Sequence, residues 1–163
     1  MRVIGPVPAR RLFLAHFCVI LLINALTRNL AVAMSEDPWT AAQTVQPAQL
    51  VTELQEMKDP DVLVIYVGVR TLFNGGHIPG AVYYGPGSAE QGIRDLKKYA
   101  ATLPKNSDVV LYCGCCPLEK CPNLRPAFTA LKDVGFARLR VLILPTSFNT
   151  DWAEKGYPIQ KAS

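Results

Sequence analysis

The sequence lacks the features that are typical of several large classes of proteins. It has no internal repeat and no low-complexity tract. It also has no basic stripe with interleaved aromatic residues, which is the usual sign of nucleic-acid binding. The first 33 residues contain no aspartate or glutamate, although they hold four of the 17 basic residues. The rest of the chain therefore carries 13 basic and 13 acidic residues and is formally neutral, so we expect no nucleic-acid partner.

The acid-free N-terminal segment has the order of features found in an export signal. Arg10 and Arg11 precede an apolar run from Leu12 to Leu26, which is shorter than the ~20 residues that span a membrane. The small residues Ala31-Val32-Ala33 follow, where a signal peptidase could cleave. We therefore predict a signal peptide over residues 1–33, and a protein that is exported to the periplasm or secreted. The alternative is an uncleaved anchor, and in either case we expect membrane contact only through this segment.

Short apolar runs alternate with segments of helical periodicity in the rest of the chain. A polar stretch at 34–46 is interpreted as a linker or as a tail wrapped on the domain. The helices are predicted from apolar residues at helical spacing, with Ser88 and Gln91 as a capping box and Asn123 as an N-cap. This alternation predicts one α/β domain over residues 47–160, with helices on both sides of a central parallel sheet. Its strands are predicted at Val62–Val67, Val82–Tyr84, Val109–Tyr112 and Leu139–Leu144.

Four cysteines fall within nine residues, between the end of an apolar strand and the start of a helix. They are Cys113, Cys115, Cys116 and Cys121. At such a junction, backbone N–H groups and a helix dipole can stabilise a thiolate. Export would place these thiols in an oxidising compartment, where structural disulfides are common. A bridge such as Cys116 to Cys121 would close only a small loop and would contribute correspondingly little stability.

Three segments resemble the signatures of the rhodanese (sulfurtransferase) family. They are Gly76-His77-Ile78-Pro79-Gly80-Ala81, the strand-end pair Tyr112-Cys113, and Trp152 followed by Gly156-Tyr157-Pro158. The resemblance implies a small α/β domain in which Cys113 is the nucleophile and carries sulfane sulfur as a persulfide. It implies a small sulfur donor and an acceptor thiol, on a small molecule or on a protein, and no cofactor. It also implies structural motif positions at His77, Gly80, Trp152 and Gly156.

The cysteine loop departs from the family pattern, and this leaves several functions open. The loop reaches Asn123, and Cys113 lies too far from Arg125 for the C-x5-R spacing of a phosphatase loop. No aspartate accompanies Arg70 after the first strand, where the family usually has Asp-x-Arg. Arg125 either adds positive charge at the mouth of the loop or points to solvent.

The three additional cysteines suggest the alternatives. Cys115 or Cys116 could resolve a persulfide or sulfenate on Cys113 by forming a disulfide, which predicts a thiol-redox or sulfur-relay protein. The four thiols could instead bind a soft metal such as zinc or copper(I), although the C-x2-C pairs of zinc ribbons are absent. The competing class is therefore a non-catalytic rhodanese-like binding module, in which the cysteines hold a metal or a structural loop disulfide. Between these classes, we favour a sulfurtransferase.

Overall fold

The computed structural model describes residues 37–56 and 62–162, which are built around a five-stranded parallel sheet. The strand order is β1-β5-β4-β2-β3. The strands are β1 (Thr44–Val45), β2 (Val62–Tyr66), β3 (Val82–Tyr83), β4 (Asp108–Tyr112) and β5 (Arg138–Leu142). The parallel α/β architecture predicted from the sequence is confirmed. The predicted signal peptide over residues 1–33 lies outside the described residues.

Helices connect the strands and cover both faces of the sheet. They are α1 (Pro47–Glu56), α2 (Arg70–Gly75), α3 (Glu90–Ala100), α4 (Leu124–Asp133) and α5 (Phe148–Asp151), with 3-10 turns at Ala41–Gln43, Leu118–Lys120 and Ala153–Lys155. Within residues 37–56 and 62–162, no helix is both long enough and apolar enough to cross a bilayer.

The alternation of side chains along the strands produces two cores, one on each face of the sheet. On β4, Val109 and Leu111 point to one face, where they pack with Phe128 and Leu131 of α4. On the other face, Val110 and Tyr112 of the same strand pack with Leu50 of α1 and with Trp152. Because both faces are covered, the neighbouring strands β2 and β4 are almost continuously apolar, whereas β5 begins with the alternating residues Arg138, Leu139 and Arg140.

Residues 37–46 belong to the stretch interpreted as a linker or as a tail wrapped on the domain, and they pack on the domain. The compact unit includes residues from Asp37 onward. Thr44 and Val45 pair with Val141 and Leu142 at the edge of the sheet, and Trp39 packs edge-on against Phe128 at 5.4 Å between ring centroids. A strand of two residues is too short to produce a recognisable periodicity, which is why the sequence did not indicate it.

The predicted capping box is wrong, because helix α3 begins at Glu90 and Ser88 lies outside it. Asn123 is the N-cap residue of α4, as predicted, but its side chain makes no cap hydrogen bond. The two residues instead bind each other, because the Ser88 N–H donates to Asn123 Oδ1 at 3.0 Å. A contact between residues 35 positions apart has therefore replaced two local ones.

Candidate active site

Strand β4 delivers Cys113 to the carboxyl edge of the sheet. Cys113 follows Tyr112 directly and is only 1% exposed. The next residue, Gly114, has φ +71°, and a Cβ built on it would lie 2.6 Å from the Cβ of Phe148. Glycine is required here by both the backbone conformation and the close approach of α5. The Phe148 N–H also donates to the Gly114 carbonyl at 2.9 Å, which fixes the turn.

The loop folds back so that the cysteines form one sulfur cluster. The Cys113 thiol donates to Cys115 Sγ at 3.1 Å, and Cys115 and Cys116 share a contact of 3.4 Å between their sulfurs. The sulfurs of Cys113, Cys115 and Cys121 all lie within 4.8 Å of one another. Cys113 and Cys121 are buried, whereas Cys115 and Cys116 are half-buried, and all four are free thiols.

The surroundings of the cluster favour an anion at Cys121 over one at Cys113. The neighbouring Cys113 side chain and the backbone N–H groups of Asn123 and Leu124, at the start of α4, lower the pKa of Cys121. The neighbouring Cys121 sulfur and burial raise the pKa of Cys113. The N–H groups at the start of a helix therefore stabilise a thiolate, as the sequence suggested. They act on Cys121, which is close to α4 in the sequence, and not on Cys113.

Asn123 is a site residue that the sequence interpretation missed, because it was assigned a capping role. Its side chain is buried, and its Nδ2 donates to Cys113 Sγ at 3.4 Å and to Cys115 Sγ at 3.8 Å. Its Oδ1 is fixed by the Ser88 N–H, so the amide has one orientation that satisfies both ends. Asn123 therefore presents a fixed donor to the two sulfurs.

Arg125 neither points freely to solvent nor faces the sulfurs. Its Nη2 lies 2.6 Å from Asp37 Oδ1, and its Nη1 donates to the carbonyls of Leu118 and Cys121 at 3.4 and 3.3 Å. Its guanidinium carbon lies 5.7 Å from the centre of the Trp39 ring. Arg125 thus ties the outer half of the cysteine loop to the first residues of the domain.

A cavity of about 360 Å³ opens beside the cluster, and Cys113 and Cys115 form part of its wall. Because Cys113 is almost fully buried, a reagent can reach it only if it is small enough to enter this cavity. The hydroxyl of Tyr66, another wall residue, is buried and has no hydrogen-bond partner among the described residues. Tyr66 pairs in register with Tyr112, which places it beside the strand that ends at Cys113.

The remaining motif residues make internal contacts in the domain. His77 is buried, its Nδ1 lies 2.8 Å from the Phe73 carbonyl oxygen, and its ring stacks on Phe73 at 3.9 Å. Trp152 is fully buried and its Nε1 donates to the Pro158 carbonyl at 2.8 Å. Gly80 and Gly156 both have φ +77°. None of these four residues is among the described residues that line the cavity.

Comparison with known proteins agrees with this architecture. The structure of a rhodanese-like domain from Anabaena sp. is similar, with a TM-score of 0.54, 23% identity, and coverage of 74% of this chain and 80% of that one. A protein from Bacillus halodurans has a TM-score of 0.57 at 17% identity, with 85% of both chains covered. A thiosulfate sulfurtransferase from Pseudomonas aeruginosa has a TM-score of 0.52 at 18% identity, with 74% of this chain but 19% of that chain covered. At these identities the likeness shows the fold alone, and no curated protein matches the chain significantly.

The family model for the rhodanese-like domain provides the sequence-level match. It covers residues 50–148, which extend from α1 through the whole cysteine loop to the start of α5. This range contains the strand that delivers Cys113 and all four clustered cysteines. With the parallel sheet and the matched range in agreement, the chain belongs to the family of rhodanese-like domains.

Proposed function

We propose that the domain is a sulfurtransferase that carries sulfane sulfur on Cys113 as a persulfide. The observation that supports this most directly is the position of Cys113. Its sulfur lies at the carboxyl edge of the sheet, in the wall of a cavity, and beside two further sulfurs. The family assignment agrees with sulfur-transfer chemistry, and the burial of the thiol restricts the donor to small molecules.

The reaction needs no cofactor and consists of two displacements at sulfur. As Cys113 attacks the sulfane sulfur of the donor, its proton is passed through the neighbouring Cys121 sulfur to the leaving donor fragment. The new S–S bond forms on Cys113, the old bond breaks, and its electron pair leaves with the donor fragment. An acceptor thiolate then attacks the outer sulfur of the Cys113 persulfide and regenerates the Cys113 thiolate.

Cys115 provides a second way in which the Cys113 persulfide can react. Its sulfur lies 3.1 Å from that of Cys113, and its thiolate could attack the inner sulfur of the persulfide. That step would form a Cys113–Cys115 disulfide and release hydrosulfide. The domain would then relay electrons instead of sulfur, and a reductant would be needed to restore the thiols.

The experiment compares Cys113→Ser with Cys116→Ser, the same atomic change in the same loop at a residue outside the cavity wall. Reduced protein is treated with a sulfane-sulfur donor, and intact mass and sulfur release to an acceptor thiol are measured. We expect the wild type and Cys116→Ser to gain one sulfur and to transfer it. Cys113→Ser should do neither while its melting temperature holds. Full transfer by Cys113→Ser would refute the proposal.

A soft-metal centre is the second candidate, and the spacing of the sulfurs favours it. Because a Zn–S bond is about 2.3 Å, two thiolates on one tetrahedral zinc lie about 3.8 Å apart. The distances among Cys113, Cys115 and Cys121, from 3.1 Å up to 4.8 Å, bracket that value. This candidate predicts a protein that binds one metal per chain and whose thiols react with iodoacetamide only after a chelator is added. Fully reactive thiols in protein purified without chelator would exclude it.

We also propose that residues 1–33 act as an export signal, on the basis of the four arginines, the apolar run and the small residues at Ala31–Ala33. The expected protein begins at Met34 and is found outside the cytoplasm. The N-terminal sequence of protein from fractionated cells tests this. An uncleaved chain in the membrane fraction would support the anchor, and an uncleaved chain in the cytoplasm would contradict both.

A further inference from the structure

The hydroxyl of Tyr66 is an unusual feature for a residue at the end of a buried strand. Tyr66 is 2% exposed, and its ring is held by Phe73, Tyr83 and Tyr112 at centroid distances of 5.5, 6.2 and 5.0 Å. Its hydroxyl nevertheless has no hydrogen-bond partner among the described residues. Buried tyrosine hydroxyls normally have a partner, and a buried donor without one is destabilising. A group fixed in this way is suited to a partner that arrives with the substrate.

The hydroxyl faces the same small interval as the Cys113 sulfur. A Cβ built on Gly68 would lie 2.5 Å from the Tyr66 hydroxyl oxygen and 2.8 Å from Cys113 Sγ. Both atoms therefore pack closely around the same point beside Gly68, where no Cβ would fit. A sulfur attached to Cys113 at an S–S bond length of about 2.05 Å is therefore formed in the neighbourhood of this hydroxyl.

The cavity that these residues share has a mainly apolar wall. Leu72, Phe148, Ala153 and Ile159 supply carbon surface, and Lys161 is the one charged residue among the described residues of the wall. One cation is a poor match for an inorganic dianion such as thiosulfate, whose desolvation needs several partners. The same wall suits an uncharged or singly charged organic group.

We propose that the sulfur donor is a small organic persulfide, R–S–SH, whose organic group occupies the apolar cavity, and that the Tyr66 hydroxyl donates a hydrogen bond to the transferred sulfur. This inference rests on the proposed sulfur transfer through Cys113. In the balanced step, Cys113–SH and R–S–SH give Cys113–S–SH and R–SH. The S–S bond of the donor breaks, its electron pair leaves on R–S, and the proton from Cys113 ends on R–SH.

The protonation of Tyr66 agrees with a donor role. Burial, together with the sulfurs of Cys113 and Cys115, raises the pKa of Tyr66. The hydroxyl therefore keeps its proton and cannot act as the base. Its contribution is a directed dipole, available without reorganisation beside the sulfur that moves from R–S to Cys113.

The test compares Tyr66→Phe with Tyr99→Phe, which removes the same atom from a tyrosine that stacks on Tyr84 away from the cavity. N-acetylcysteine persulfide and thiosulfate serve as donors, with dithiothreitol as acceptor. We expect kcat/KM to be at least about 100-fold higher with the persulfide. Loss of one hydrogen bond to a charged transition state should lower it about 10-fold in Tyr66→Phe, and Tyr99→Phe should match the wild type.

Thermal unfolding separates this role from a structural one. Because the Tyr66 hydroxyl has no partner, its removal should leave the melting temperature equal or higher. Wild-type kinetics in Tyr66→Phe, with an inactive Cys113→Ser, would overturn the role of the hydroxyl and leave the proposed function intact. A preference for thiosulfate would overturn the donor class. Persulfide transfer by Cys113→Ser would instead overturn the proposed function itself.

Discussion

The two edges of the sheet differ in how their polar groups are paired. At the amino edge, the charged groups are paired: Asp108 binds Arg138 and Arg140 at 2.8 and 3.1 Å, and Arg140 binds Glu53 at 3.0 Å. At the carboxyl edge, sulfurs are crowded together and the Tyr66 hydroxyl has no partner among the described residues. The difference indicates that the amino edge stabilises the domain, whereas the carboxyl edge holds groups in arrangements that become favourable when a substrate binds.

The largest effect at the carboxyl edge is expected from a substitution that places a side chain between Tyr66 and Cys113. Gly68→Ala places a methyl group against both, so we expect kcat/KM for sulfur transfer to fall by about 100-fold or more. Gly75→Ala is the control, because Gly75 lines the same cavity but a Cβ there would have no atom within 4 Å. Steady-state kinetics on both variants measures the effect. Equal activities would show that the interval is not used.

The turn that carries Cys113 should be the most sensitive point for stability. Gly114→Ala combines a positive φ with a contact of 2.6 Å to Phe148, so we expect a loss of about 3 kcal/mol in the free energy of unfolding. Gly135→Ala isolates the backbone contribution, because Gly135 has φ +92° and open space around it. It should cost only about 1 kcal/mol. Urea unfolding compares the two, and equal losses would contradict the steric argument.

A matched substitution at the amino edge should affect stability and spare activity. In Asp108→Asn, a carboxylate that is 12% exposed loses its charge between two arginines, at a cost of about 1–2 kcal/mol. Glu90→Gln breaks an ion pair whose glutamate is 91% exposed, and it should cost less than about 0.5 kcal/mol. Sulfur transfer should be unchanged in both variants when it is assayed below their unfolding transitions. Loss of transfer in folded Asp108→Asn would show that the edges are coupled.

The smallest effect is expected for Asn123, whose side-chain amide donates hydrogen bonds to the sulfurs. Asn123→Ala removes the amide from Cys113 and Cys115, and kcat/KM should fall about 5-fold because the bonds to sulfur are long. Asn149→Ala removes an amide from the cavity wall that binds Glu154 instead, and it should behave like the wild type. Single-turnover persulfide formation measures the step directly. An unchanged rate in Asn123→Ala would limit Asn123 to holding the loop.

The parallel sheet and the position of Cys113 could be predicted from the sequence because both depend on local patterns. Buried parallel strands produce continuous apolar runs such as Val62–Val67, and the residue after such a run must lie at the carboxyl edge. The hydrogen bonds of the predicted caps could not be obtained in this way, because they depend on contacts that are distant in the sequence. Asn123 has a strong local preference for a cap, but a partner 35 residues away, the Ser88 N–H, competes for its side chain.

The distribution of protons among the cysteines could not be predicted from spacing. The sequence places four thiols in one loop, but the pKa of each depends on which N–H groups and sulfurs it meets after folding. Tyr66 was missed because it belongs to an apolar strand, and only its missing partner distinguishes it from other core tyrosines. The amino-acid sequence does not show whether a hydroxyl group will have a hydrogen-bond partner after folding.

The last residues of the chain form part of the cavity wall. Ile159 and Lys161 line it, and Gln160 is held to His77 by two backbone hydrogen bonds of 2.9 and 2.8 Å. Trimming the chain with a carboxypeptidase to Pro158 would therefore widen the entrance and leave every thiol in place. Bulkier donors should then gain access to Cys113.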